Sequence, residues 1–173
     1  MITADDLHKI CPLSSLATLT PFVDPLNETM REFDISTPER EAMFLAQVAH
    51  ESGGFHYVRE LASGAAYEGR ADLGNTEAGD GVRFKGRGLI QITGRSNYDA
   101  CGAALGVDLI GNPDLLAGTG LAARSAGWFW STKHLNDLAD KGDFLTVTKR
   151  INGGTTGYAD RQAYYQRAQT VIT

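Results

Sequence analysis

The chain has 173 residues, 42% of them hydrophobic and 21% charged, with a formal net charge of −5. That length suits one domain, residues 1–173, with enough interior for a proper core, and the composition is that of an ordinary soluble globular protein. The acidic balance and the lack of any Lys/Arg cluster exclude a phosphate-tracking nucleic-acid surface, and no run of about 18 apolar residues is present to span a bilayer.

Residues 3–10 read as a short helix, with Thr3 as N-cap, Asp5 and Asp6 in the first turn, and Pro12 ending it. The same segment is too acidic and too poor in apolar residues for a signal peptide, so synthesis in the cytoplasm without a membrane anchor is expected. Cys11 and Cys101 are too few for a disulfide framework. They are able to form one bridge, but two reduced, packed thiols fit better. A second helix is predicted over 21–33, with Phe22, Val23, Leu26, Met30 and Phe33 at roughly helical spacing and Pro25 in its first turn.

The third helix has the clearest start: Thr37 as N-cap, Pro38 at the first helical position, then Glu39 and Glu41. Residues 42–49 leave almost no polar face, which marks a central helix packed on most sides. Gln47 and Glu51 lie four apart and share a face. Polar residues on such a helix are expected to line a cleft rather than sit unpaired in the core.

Residues 52–87 turn to Gly, Asp, Asn and charge, the composition of a long ordered loop, and loops of this length in a compact domain are usually functional. Within and after it, 82–84 and 89–92 are predicted to pair as a small β-hairpin. Helix returns over 94–105, stops at Asn112-Pro113, and resumes over 121–130, 134–139, 144–151 and 160–171, with a turn at Asn152-Gly153-Gly154. The expectation from these elements is one mainly α domain with a small β-hairpin.

Two carboxylates stand out. Glu51 ends the apolar helix, and Glu60 follows nine residues later beyond the glycine pair Gly53-Gly54. Glycoside hydrolysis needs one carboxyl that keeps its proton for the leaving oxygen and one that stays ionised. Burial at a helix end disfavours the charged form and suits Glu51 to the acid role; a polar loop suits Glu60 to the base role. The broken connection leaves room for the roughly 6.5–9.5 Å carboxyl separation of an inverting enzyme. Among 21 acidic residues such a pair also arises by chance. A zinc HExxH helix is excluded because the second histidine position holds Gly54, and no metal or other cofactor is expected. Lys85-Gly86-Arg87-Gly88 lacks the order of a phosphate-binding loop.

Four stretches together resemble glycoside hydrolase family 19: His50-Glu51-Ser52-Gly53-Gly54-Phe55, Tyr67-Glu68-Gly69-Arg70, the block from Gly86 to Tyr98 reading GRGLIQITGRSNY, and Ile151-Asn152-Gly153-Gly154. The likeness runs in order over roughly residues 38–170. That family contains plant-type chitinases and the peptidoglycan-degrading endolysins of bacteriophages. The absence of a disulfide set, the compact size and the lack of a signal peptide favour the endolysin branch.

The resemblance implies that Glu51 is the general acid, Glu60 the general base, and Thr93 a hydroxyl helping to hold the attacking water. It implies sugar contacts from Gln91, Asn97, Tyr98 and Asn152, and places Arg161 near the acid. The family commonly has a glutamate shortly after Asn-Gly-Gly to pair with that arginine. This chain has Thr155 and Thr156 there, so burial is expected to do more of the tuning of Glu51. Tyr67 is the aromatic candidate for the cleft, whereas Trp128 and Trp130 read as core. Arg87 is open between turn residue and substrate contact, and Gln91, Thr93 and Asn97 also read as strand and cap polars. The implied fold is a lysozyme-like helical domain, and the implied activity is muramidase-type, inverting hydrolysis of β-1,4 bonds in peptidoglycan by a monomer that reaches the host periplasm through holin-formed holes. The alternatives are a bacterial chitinase and an inactive glycan-binding module.

Overall fold

The first helix begins where Thr3 predicts it. In the computed structural model, which describes residues 1–173, the Thr3 hydroxyl accepts from the Asp6 N–H and the Asp6 carboxylate accepts from the Thr3 N–H. This capping box opens α1 (Ala4–Ile10). A short α2 (Leu16–Leu19), capped by Ser15, comes next, and the single helix expected over 21–33 is instead a 3-10 turn at Thr20–Phe22 running into α3 (Val23–Glu32). Pro21 sits in the 3-10 turn, and Pro25 falls in the first turn of α3, where a missing N–H costs nothing.

Next comes α4 (Pro38–Glu51), started by the Thr37 hydroxyl, which accepts from the Arg40 N–H at 3.2 Å. All eight residues from Ala42 to Ala49 are buried. The chain continues through α5 (Asp80–Arg83), α6 (Arg95–Leu105), α7 (Thr119–Thr132), α8 (Leu135–Ala139), α9 (Phe144–Asn152) and α10 (Tyr158–Gln169). α10 packs along α4, and α3 along α7, so the core forms around the apolar stretch of α4. None of these helices is long and apolar enough to cross a membrane. Cys11 and Cys101 are free and buried, and burial pushes both thiols up to about 12, so they act as small packed apolar groups.

The hairpin expected between 82–84 and 89–92 does not form. Val82 lies inside α5, and the β content is two single bridges, Arg59 with Arg87 and Arg87 with Ile92. Residues 89–92 curl back on Arg87 instead: the Arg87 N–H donates to the Ile92 carbonyl at 3.1 Å, and the Ile92 N–H to the Arg87 carbonyl at 2.8 Å. Gln91 adopts a left-handed conformation (φ 56°), which reverses the chain within a few residues and leaves no extended edge to pair. The mainly helical, lysozyme-like class is otherwise as expected.

The α3–α7 contact is close enough to test. A Cβ on Gly127 would lie 2.4 Å from a Phe33 ring carbon and 2.5 Å from the Thr29 methyl. Gly127→Ala should therefore overpack this seam and cost roughly 1–3 kcal/mol, despite alanine's better helix propensity. Thermal unfolding should show a fall of roughly 2–12 °C; an unchanged or higher Tm would mean the two helices separate freely.

Candidate active site

Glu51 is the last residue of α4, and its carboxylate is fastened to α10. Arg161 Nη2 donates to Glu51 Oε1 at 2.5 Å, while Nη1 donates to Gln47 Oε1 at 2.6 Å. Gln47 passes the chain on, its Nε2 donating to the Thr148 hydroxyl of α9 at 2.9 Å. The neighbouring His50 ring meets Asp160 at 2.6 Å, so two consecutive pairs join the end of α4 to the start of α10. This corrects two expectations. Gln47 does not line a cleft; it is fully buried and satisfied. Glu51 is also not shut away by burial: its side chain is 23% exposed and ion-paired to an arginine that is 1% exposed. In place of the family's third charge, Arg161 is completed by neutral Gln47 and by the Thr156 carbonyl at 3.4 Å.

After Glu51 the backbone must turn sharply. Gly53 and Gly54 both have positive φ, and a Cβ on Gly54 would lie 2.6 Å from the Ser14 hydroxyl, which donates to the Gly54 carbonyl. The chain then runs beside residues 86–88: the Glu60 N–H donates to the Gly86 carbonyl at 2.8 Å and the Gly88 N–H to the Val58 carbonyl at 2.9 Å. Glu60 is held on both carboxylate oxygens. The Tyr67 hydroxyl donates to Oε1 and the Gly86 N–H to Oε2, each at 3.0 Å. Burial, then the hydrogen bond to Glu60, pushes the Tyr67 hydroxyl up, which keeps it a donor. Gly86 is needed for the close approach, because a Cβ there would lie 2.7 Å from Gln91 Oε1 and 3.1 Å from Glu60 Oε2. Tyr67, expected to contact sugar, is therefore a partner of Glu60.

Gln91, which adjoins Gly86 as Glu60 does, lines a hollow of about 310 Å³ together with Thr93, Asn97, Trp128, Phe129 and Lys133. Gln91 Nε2 donates to the Gly88 carbonyl, the Thr93 hydroxyl to the Gln91 carbonyl, and Asn97 Nδ2 to the Thr93 carbonyl. Thr93 does not cap α6. The first free N–H of that helix, on Arg95, goes to Asn75 Oδ1 at 2.8 Å. Trp128 was expected in the core with Trp130. Two residues on a helix are about 200° apart, so only one of them can face inward. Trp130 is fully buried edge-on to Phe44, and its indole donates to Asn136; Trp128 is half-buried and faces the hollow.

Arg87 and Tyr98 lie behind the cleft wall and not in it. Arg87 is buried, pairs with Asp114 at 2.9 Å, and donates to the Arg83 and Lys85 carbonyls and to the Tyr98 hydroxyl. Tyr98 is fully buried and donates to the Lys85 carbonyl at 2.6 Å, and burial pushes its hydroxyl up to about 12. Both shape the GRGLIQITG loop from inside, so neither stands where a sugar would touch it. Arg161 likewise holds Glu51 and offers no surface to substrate. Asn152, the last residue of α9, is exposed four residues beyond Thr148 on the same helix face. The ties that order residues 61–83 escaped sequence reasoning: Glu68 accepting from the Gly79 and Gly81 N–H groups, and Arg95 gripping Asp80 and Glu77. They pair residues far apart in sequence with no periodic signal.

Comparison with known proteins places this geometry. The model of glycoside hydrolase family 19, described as chitinase class I, matches residues 28–141. A glycosyl hydrolase family 19 domain-containing protein of Haemophilus influenzae is 35% identical over 159 residues, covering 73% of this chain and 77% of that protein. An acidic 27 kDa endochitinase of Solanum lycopersicum is 34% identical over 206 residues, covering 94% of this chain and 76% of that protein. The chain spans about half the length of two Arabidopsis thaliana endochitinases that it also matches, at 36% and 35% identity. Chitinase C from Streptomyces griseus shares the fold, with a TM-score of 0.81 at 23% identity over 99% of this chain and 92% of that one. The family match over most of the sequence, joined to the placement of Glu51, Glu60 and the GRGLIQITG loop, shows that the chain belongs to glycoside hydrolase family 19.

Proposed function

We propose that the chain hydrolyses β-1,4 glycosidic bonds of bacterial peptidoglycan, muramidase-fashion and with inversion. The observation that carries the chemistry is a pair of carboxylates, each fixed in place by its own partners. Glu51 stands at the end of a buried helix against one guanidinium, and Glu60 accepts hydrogen bonds on both oxygens, from Tyr67 and from Gly86, which also adjoins Gln91 of the hollow that Thr93 lines. In the reaction Glu51 gives its proton to the leaving glycosidic oxygen as the bond to C1 breaks. A water on the opposite face attacks C1, and Glu60 takes its proton while Thr93 holds it. Gln91, Asn97 and Asn152 offer amides to the sugar hydroxyl and N-acetyl groups, and Trp128 offers a ring.

Peptidoglycan as the polymer is supported by two buried free thiols, the state of a chain that folds without disulfides in a reducing compartment. On this reading it is a bacteriophage endolysin, made in the host cytoplasm as a monomer and reaching the periplasm through holin-formed holes. A second reading, a bacterial chitinase, is favoured by the chitinase class I family match and by the endochitinases among the relatives. Purified peptidoglycan and chitin hexamer should be digested in parallel and the new ends identified by mass, with the anomer first released read by NMR. N-acetylmuramic reducing ends in the α configuration are expected. Cleavage of chitin alone would give the second reading, and a β anomer would remove the inverting mechanism.

A further inference from the structure

Asn75 is fully buried in segment 61–79, which precedes α5, and it bridges two parts of the fold that share no regular secondary structure. Its Oδ1 accepts from the Arg95 N–H at the start of α6 at 2.8 Å. Its Nδ2 donates to the backbone carbonyl of Tyr67 at 2.9 Å. Tyr67 in turn donates its hydroxyl to Glu60 Oε1. From the rigid end of a helix to the base, the contacts therefore run Arg95, Asn75, Tyr67, Glu60, without a gap. A second tie clamps the same segment where it meets α5: the Arg95 guanidinium reaches both oxygens of buried Asp80 at 2.7 and 2.8 Å, and holds that carboxyl below the usual carboxylate range. Because that clamp fixes the far side of the segment, Asn75 is left the narrower task of setting where Tyr67 stands.

We propose that Asn75 is a positioning residue for the base, acting only through Tyr67. The proposal rests on the reading of Glu60 as general base. Each group has a defined part. Asn75 sets the height of the Tyr67 backbone, the ring carries its hydroxyl to Oε1, and the Gly86 N–H fixes Oε2, so the carboxylate plane has two anchors. Removing one anchor lets the plane turn away from the water it must deprotonate. Misplacement of a catalytic group by about 1 Å is enough to lose up to 10²-fold in rate. Gln91 and Asn97 make their own hydrogen bonds outside this chain of contacts, so binding should hold while turnover falls.

The test is a double-variant cycle on whichever of purified peptidoglycan and chitin hexamer the wild type cleaves. Tyr67→Phe and Asn75→Ala should each lower kcat by about tenfold with KM within about twofold. The double variant should be no slower than the slower single one, because once the hydroxyl is gone the placement of residue 67 no longer reaches Glu60. Asn75→Asp keeps the acceptor for Arg95 and removes the donor to Tyr67; it should repeat the kcat loss and keeps the test open if Asn75→Ala does not fold. Circular dichroism at the assay temperature establishes that each variant is folded. Independent effects that multiply, a loss that falls on KM, or full kcat in both Asn75 variants would each overturn the proposal. Glu60→Gln is run beside them: if it retains turnover, the assignment of the base fails, which is a different result from additivity in the cycle.

Discussion

Glu51→Gln should lower kcat by about 10²–10⁴-fold, the range that a positioned general acid contributes, while KM and thermal stability change little. The amide is close to the carboxyl in size, and its oxygen still accepts from Arg161 Nη2, so the fastening of α4 to α10 survives. What the amide lacks is a proton that it can release to a leaving sugar oxygen. The loss should appear equally on peptidoglycan and on chitin hexamer, because both readings of the substrate use the same acid. Full lysis of outer-membrane-stripped cells by Glu51→Gln would remove Glu51 from the mechanism. Lost activity with an unchanged melting temperature would separate chemistry from folding.

Legibility in this chain follows the range of the forces involved. α4 begins and ends where Thr37, Pro38 and the glycine pair place it, because caps and helical periodicity act within a turn or two. The mainly helical class was legible for the same reason. The hairpin was not, because 82–84 and 89–92 carry apolar residues fit for strands, while Gln91 in a left-handed conformation curls the second segment back on Arg87. In the site, residue types were legible and directions were not. Arg87 and Tyr98 sit in the same motif as Gln91 and Thr93 yet face the interior, and a motif in an irregular loop gives no face to read. Trp128 is the exception that a helical wheel would have caught, since two tryptophans two residues apart on α7 cannot share one face. The missing acid after Asn152-Gly153-Gly154 was visible in sequence, but its replacement by Gln47 depends on how α4, α9 and α10 pack.

That replacement leads to the other large effect. Arg161→Met should lower both stability and turnover, for separable reasons. The guanidinium is 1% exposed and serves Gln47, Glu51 and the Thr156 carbonyl together. Without it Gln47 Oε1 is orphaned in the core, a loss of roughly 1–3 kcal/mol. Glu51, with 23% of its side chain exposed, can turn to water, so the change should stay below the roughly 3–5 kcal/mol of a stranded buried charge. Turnover should fall by about 10²-fold, because a carboxyl that turns to solvent no longer aims its proton at the glycosidic oxygen. Arg161→Lys keeps the charge but not the fork that reaches Gln47 and Glu51 at once, and should fall between. The decisive variant is Gln47→Leu with Arg161→Met. Removing both polar partners leaves an apolar pair in the core, with the Thr148 hydroxyl free to bond back to its own helix, so the melting temperature should recover. If Arg161 orients the acid, kcat should stay low in that folded protein. If activity returns with stability, Arg161 is a prop of the core and Glu51 needs no partner to act.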